Sequence, residues 1–533
     1  MNITRLLLTL ILLTAMLTGA ASARKFYDDD PILREPQRRD VGQLKSRKLS
    51  DIYDLFSLQF GDLGQRQPAP NSKKPLIGAQ GINTIENPFD DAWWQPRHYF
   101  RRMTLDELRR GPGNSSTPST RGKWTIVGVK SEGVTPGFQM LDADNRQYFV
   151  KFDPRSNPEM ATAADRISSK IFYAMGYHVP ENYLIYFKED QLQLGADVEV
   201  ASAAGKTRKM TNRDLYEILL KVPKTADGRY RGTASLSLPG QPIGPPQYFG
   251  TRSDDPNDVV RHEHRRDQRA LRVFCAWLGH EDSRAIHNID LALQEDGVRF
   301  VRHYLLDFGS TLGSASTKSN SVRSGLPFFS WSESAKNFFS LGLHVPYVDF
   351  ANYPNLPSVG RLESKTFDPE RWVPEYPNPA FRNALPDDEF WAAKQVMSLT
   401  DAELRAIVET GEYSDPRAAE WVSQSLIARR DKIGKAFFAK VLPLDRFELR
   451  GGALAWEDVS RAAGAVNIQW HHFDNQTGQR TAIGGATNAK TPDFSATGFL
   501  CAELTRASAP PQKVFVYLRR REDAQIVGVE RTW

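Results

Sequence analysis

The sequence predicts an α+β protein closed by a small C-terminal β-sandwich domain. Three patterns predict it. Between residues 124 and 187 the chain runs strand, Gly-bearing loop, strand, strand, helix, strand. Residues 385–440 carry helical periodicity and little else. From Gly451 onward the character changes to short alternating runs separated by turn residues.

Taken in chain order, Arg5 precedes an apolar run, Leu6 to Leu17, and the small residues Ala21-Ser22-Ala23 follow. That order is a charged region, an apolar region and an A-x-A cleavage site, so residues 1–23 read as a secretory signal. The run is too short for a membrane span. No Cys follows it, so no lipid anchor is expected, and no later apolar run is long enough to cross a bilayer. The expected location is periplasmic or extracellular. Residues 24–120 read as an extension and linker. They contain an amphipathic helix over Asp51–Phe60, with Ile52, Leu55, Phe56 and Leu58 as its apolar stripe, an anchoring Trp93-Trp94 pair, and a linker at Gly111–Arg121.

The N-terminal lobe is expected over 121–190. Trp124–Val129, Phe138–Leu141 and Gln147–Phe152 read as strands, with Ser131–Gly137 as a loop between the first two. After Asp153-Pro154 a helix is expected from Ser156 or Asn157, with Pro158 at its first position, to Met175, stopped by Gly176. Its stripe is Ala164, Ile167, Ile171, Phe172 and Met175. Val179–Phe187 is the next strand. Residues 191–255 read as an inserted region of loops with one helix, Asn212–Leu220. The C-terminal lobe is expected over 256–445. It has a helix from about His264 to Leu278 with Glu263 and His264 facing solvent, a polar loop to Asn288, and a hairpin turning at Glu295-Asp296-Gly297. Thr400-x-x-Glu403 fits a capping box, and Asp415-Pro416 opens a long last helix. The β domain is expected over 451–533.

Charge is spread along the chain, with 69 Lys and Arg against 64 Asp and Glu. The densest basic stretch, Arg261–Arg272, is interleaved with acids, which argues against nucleic-acid binding. Cys275 and Cys501 read as two buried free thiols.

Phosphoryl transfer requires few groups. A Gly loop covers the phosphates, and a strand Lys, held by a helix acid, neutralises them. A loop Asp orients the hydroxyl acceptor, and an Asn and a second Asp hold metal ions. The chain supplies these in order: Gly133, Thr135 and Gly137 in the loop; Lys151 on the third strand; Asp165 or Glu159 on the helix; His280-Glu281-Asp282 after the second-lobe helix; then Asn288; and Asp307-Phe308-Gly309 after the hairpin. Each motif alone is weak, since Asp307-Phe308-Gly309 also suits a strand-ending turn; their order gives them weight.

Carried by Lys151-Phe152-Asp153-Pro154, Met175-Gly176-Tyr177-His178-Val179-Pro180 and Asp307-Phe308-Gly309, segment 124–310 resembles the protein-kinase-like superfamily, in the style of HipA-type and CotH-type kinases. The resemblance implies a two-lobed protein-kinase-like fold, ATP with Mg²⁺ or Mn²⁺, and a hydroxyl acceptor in a protein, sugar or small molecule. In HipA-type kinases a helix acid lies eleven residues before the Gly of a similar turn, which points to Asp165. By the same likeness Lys151 contacts phosphate, Asp282 is the base, and Asn288 and Asp307 hold metal. The chain departs from the pattern at Asn288, which stands one residue later than usual after the Asp, and in its incomplete Gly motif. The alternative is a kinase-like fold that has lost catalysis and serves as an envelope binding or scaffold protein. A zinc site built on His262, His264, His280 and His287 is disfavoured, because i,i+2 side chains diverge on a helix.

Overall fold

The computed structural model describes residues 24–533 except 91, 115–116, 130–135, 202–206, 323, 328, 330–334, 337, 341–346, 462–463, 494–497 and 510. The expected signal segment therefore lies outside the described residues. The chain divides into two units, one of residues 33–82 and 88–440, the other of 24–32, 83–87 and 441–533.

The larger unit begins with α1 (Asp51–Phe60) and α2 (Leu105–Arg110). Its antiparallel core follows: β1 (Trp124–Val129), β2 (Gly137–Leu141), β3 (Gln147–Phe152), then α3 (Met160–Ala174) and β4 (Asn182–Phe187). β5 (Leu192–Leu194), a ribbon of β6 (Glu199–Ala201) and β7 (Thr207–Lys209), α4 (Asn212–Leu219) and β8 (Tyr230–Leu236) continue it. Among the described residues the sheet order is β4-β8-β3-β2-β1-β5. Trp124, Phe138, Tyr148, Phe152 and Phe187 fill its core, buried on alternate strand positions.

Two expectations change here. The region read as an insertion contributes β8, which lies between β3 and β4. Its residues are small (Gly232, Thr233, Ala234) because α3 crosses that face: Thr233 Oγ1 donates to Thr162 O at 3.3 Å. Arg231 spans from the Thr162 hydroxyl, 3.0 Å, to the Gly411 carbonyl, 2.6 Å. The helix α3 starts at Met160 rather than at Pro158, with Glu159 left-handed at φ 70° as its N-cap. The cap acceptor comes from outside the helix. Buried Asp153 accepts from Thr162 N at 2.9 Å and from Thr162 Oγ1 at 2.6 Å, satisfying a first-turn donor.

The helical part contains α5 (Arg266–Leu278), α6 (Pro386–Ser398), α7 (Asp401–Glu409) and α8 (Pro416–Phe438). The Thr400–Glu403 capping box is formed, and Asp415 caps α8 through Arg417 N at 2.9 Å. α5 begins later than expected, after a short 3-10 turn at His262–His264. Glu263 and His264 are buried rather than solvent-facing. The Glu263 carboxylate accepts from Gln65 N, 2.8 Å, and Gly250 N, 2.7 Å. The basic stretch is internal: Arg269 pairs with Asp388 at 3.3 Å and Arg272 with Glu389 at 3.1 Å, joining α5 to α6. β9 (Gln241–Pro242), which precedes α5, pairs with the hairpin that follows it, β10 (Asn288–Glu295) and β11 (Val298–Leu305), in the order β11-β10-β9. Asp296 (φ 50°) and Gly297 (φ 79°) supply the two positive φ values that a tight hairpin turn requires.

The smaller unit has a hairpin of β12 (Leu444–Arg450) and β13 (Ala453–Asp458). β14 (Asn467–Phe473), β15 (Arg480–Ala482), β16 (Phe499–Thr505), β17 (Lys513–Arg520) and β18 (Ala524–Thr532) form the main sheet, ordered β15-β14-β16-β17-β18. Leu444, Leu454, Trp470, Leu500 and Val516 fill the space between the hairpin and one face. The other face is covered by Phe26, from the stretch read as an extension. Its ring lies 5.0 Å from Tyr517 and 5.9 Å from Phe473, directly over Gly528, where a Cβ would overlap it. Cys275 and Cys501 are buried free thiols, each in its own unit.

Candidate functional site

Lys151 lies near the end of β3, directly across the ladder from Gly137, the first residue of β2. The loop preceding Gly137 therefore ends beside the lysine. Gly133 and Thr135, expected to cover a nucleotide, lie outside the described residues.

The Lys151 ammonium meets Asp307 Oδ1 at 2.7 Å. Asp307 follows β11 in a left-handed conformation, φ 54°, which Asp tolerates better than most residues. Burial lowers the Lys151 pKa, but the Asp307 and Asp165 carboxylates outweigh it and hold the pKa above its ordinary value. Asp165, buried on α3, also accepts the Phe308 N–H at 3.1 Å. It thus joins the helix, the strand lysine and the Asp307-Phe308-Gly309 turn. Glu159 is engaged elsewhere: its carboxylate accepts Ser414 N at 2.9 Å.

Asp282 sits in the loop after α5. Gly279 ends that helix in the left-handed region, φ 63°, and the His280 N–H returns to Cys275 O at 2.8 Å. The Asp282 carboxylate accepts Arg284 Nε at 2.9 Å and lies 3.3 Å from His287 Nδ1. Between the two loops is the buried His280 ring. Desolvation pulls its pKa down to about 4, although the carboxylates of Asp282 and Asp307 both act to raise it. The Phe308 ring stacks on Phe172 of α3, 5.0 Å between centroids, and lies 6.3 Å from His280. The apolar column Phe172–Phe308–His280 fixes the Asp282 loop, the Asp307 turn and α3 relative to one another.

Asn288 is held by its neighbours. Its Nδ2 donates to Tyr248 OH, 2.6 Å, and to Arg284 O, 2.9 Å, and its Oδ1 accepts Leu306 N at 3.1 Å. The amide ties the open end of the hairpin to Tyr248 and the Arg284 segment. The histidines do not converge: His262 Nε2 pairs with Asp258 at 2.8 Å, and His264 Nε2 with Gln65 at 3.0 Å. Among the described residues no group of three or more His, Cys, Asp or Glu could hold a metal. Mg²⁺ does not require one, because it is commonly held by one or two carboxylates plus substrate phosphates. The donor set of Asp307 alone, half-exposed beside Lys151, fits that mode.

Sequence reasoning missed three residues here. Glu281 is buried, with its carboxyl bonded by the Ser324 hydroxyl, and burial raises its pKa to about 8. Arg284 holds Asp282 and also pairs with Asp51 at 2.7 Å and with Asp54 at 3.5 Å, both on α1. Asp54 is correspondingly buried, whereas Ile52, Phe56 and Phe60 of the same helix are exposed. The helix is where the sequence places it, but its expected stripe is split: Leu55 and Leu58 are half-buried beside Asp54, while Ile52 and Phe56 are exposed. An acid at the helix position nearest a buried Arg outweighs the apolar stripe, and no sequence periodicity records that partner.

Neither a scan against known protein families nor a search of curated proteins gives a match. Among solved structures, the Golgi casein kinase with Mn/ADP bound is similar at a TM-score of 0.29 and 10% identity, covering 62% of this chain and 73% of that one. A second structure of the Golgi casein kinase gives 0.27 and 11% over the same shares. At these scores the likeness adds nothing to the geometry above, which stands by itself.

Proposed function

We propose that this chain is an exported atypical kinase that moves the γ-phosphoryl group of ATP to a hydroxyl acceptor. The observation that carries this reading is the contact of Lys151 Nζ with Asp307 Oδ1 at 2.7 Å, with Asp165 acting on the same ammonium. A strand lysine and a turn aspartate brought together from 156 residues apart are what a triphosphate and its counter-ion need on two sides.

In this reading Lys151 bonds nucleotide phosphate oxygens, and Asp165 keeps the lysine aligned. Asp282 accepts the hydroxyl proton while the acceptor oxygen bonds to Pγ and the Pγ–O bond to ADP breaks. Arg284 and His287 hold the Asp282 carboxylate at the required angle. Asp307 would hold Mg²⁺ or Mn²⁺ together with phosphate oxygens; when bound, the ion neutralises phosphate charge. The single-carboxylate donor set left by Asn288 favours one ion over two. The same departure supports a second reading, a fold retaining nucleotide affinity without turnover.

Transfer from γ-labelled ATP, with Mn²⁺ and with casein and monosaccharides as acceptors, tests the reading. Asp282→Asn should cut turnover about 10²–10⁴-fold while leaving nucleotide affinity in place. Equal turnover in the variant would remove Asp282 from the chemistry.

A further inference from the structure

A cavity of about 190 Å³ lies against the Asp282 loop. It is walled by α1, by Gln247–Phe249, by Ser283–Ala285 and by Tyr376–Pro379. Drug-sized sites span about 300–1,000 Å³, so this one admits a single ring rather than an extended chain.

Its chemistry narrows the ligand. Tyr53, Tyr248, Phe249 and Tyr376 provide aromatic walls. Arg284 provides the one cation of the lining, and three carboxylates already meet it: Asp282 at 2.9 Å, Asp51 at 2.7 Å and Asp54 at 3.5 Å. The surroundings are therefore net acidic, and an anionic ligand would be repelled. Asn378 lines the same cavity and is 4% exposed. Its Oδ1 accepts Ala380 N at 2.9 Å, but its Nδ2 has no partner among the described residues.

We infer that this cavity is the acceptor subsite and takes a non-anionic sugar ring, uncharged or amine-bearing. Aromatic faces suit the C–H faces of the ring, and Asp54 suits its hydroxyls. Arg284 belongs to both the cavity wall and the Asp282 contact, so a ring seated here lies one side chain away from that carboxylate. The inference rests on the kinase reading for its chemistry but not for its binding.

The test is ligand-observed saturation-transfer NMR on the full chain without nucleotide, using glucose, N-acetylglucosamine, glucosamine and glucuronic acid. The first three should show ring-proton transfer, and glucuronic acid should show none. Tyr53→Ala should weaken binding about tenfold and Tyr53→Phe should restore it, with unchanged melting temperature marking intact folding. Absence of transfer from all three sugars overturns the inference, as does equal transfer from glucuronic acid. Phosphorylation of casein with no sugar binding overturns it too and leaves the kinase reading standing. Failure of the kinase reading shows separately, as loss of ATP binding with sugar binding retained.

Discussion

Replacing Glu281 by Gln removes a carboxyl that the fold keeps protonated. Burial, opposed by the Gly325 N–H and reinforced by Glu375, pushes its pKa up to about 8, against about 4.3 for an unfolded Glu. The folded state then holds a proton that the unfolded state has lost between those two values. Stability attributable to Glu281 is full below about pH 4.3 and falls by up to about 1.4 kcal/mol per unit until pH 8. At pH 7 the upper bound is about 3.7 kcal/mol, and relaxation around the carboxyl reduces it to about 2–3. Gln preserves the neutral carbonyl acceptor for Ser324. Urea denaturation of both proteins from pH 4 to pH 8 should show Glu281→Gln matching wild type at pH 4 and gaining steadily above pH 5. A difference that is flat with pH would refute the protonated-carboxyl argument.

Lys170 should behave with the opposite slope. Burial lowers its pKa to about 6, helped by Arg166, so the fold holds it neutral while the unfolded chain carries it charged. Wild-type stability attributable to this group rises with pH between about 6 and 10.4, and Lys170→Met should gain about 2–3 kcal/mol at pH 7, shrinking toward pH 10. Urea titration at pH 7 and pH 9.5 checks this. Lys151→Met should lower phosphoryl transfer about 10²–10³-fold, read with γ-labelled ATP. Gly528→Ala should displace Phe26 from the β unit and destabilise it by about 1–3 kcal/mol, seen as a separate shift in calorimetry.

Much of the fold was legible in the sequence because burial and periodicity agree there. β1 to β3, the Glu295-Asp296-Gly297 hairpin and the capped helices α7 and α8 follow directly from local residues. β8 was not legible: Gly232, Thr233 and Ala234 carry no apolar alternation, since their size is dictated by α3 crossing above them. The burial of Asp54 on α1 depends on Arg284, 230 residues away. The early start given to α3 came from Pro158, whereas the side chain that caps the helix is Asp153. The order of motifs singled out Lys151, Asp165 and Asp307, which the fold brings into contact, and Asp282 and Asn288, each held by other partners. The Asn288 amide bonds Tyr248, Arg284 and Leu306, partners set by tertiary structure. Phe26 shows the same limit, for nothing near it in sequence indicates a β-sheet face beginning at residue 467.

The central claim is that Lys151 and Asp307 face a nucleotide and its ion. Thermal-shift titration of the protein with ATP and Mn²⁺, beside Asp307→Asn, tests it most directly. Saturating ligand at a hundred times Kd should add about 2.7 kcal/mol and raise the melting temperature by a few degrees. The account predicts a rise that requires Mn²⁺ and is lost in Asp307→Asn. No rise with any nucleotide and metal, or an equal rise in the variant, would contradict it.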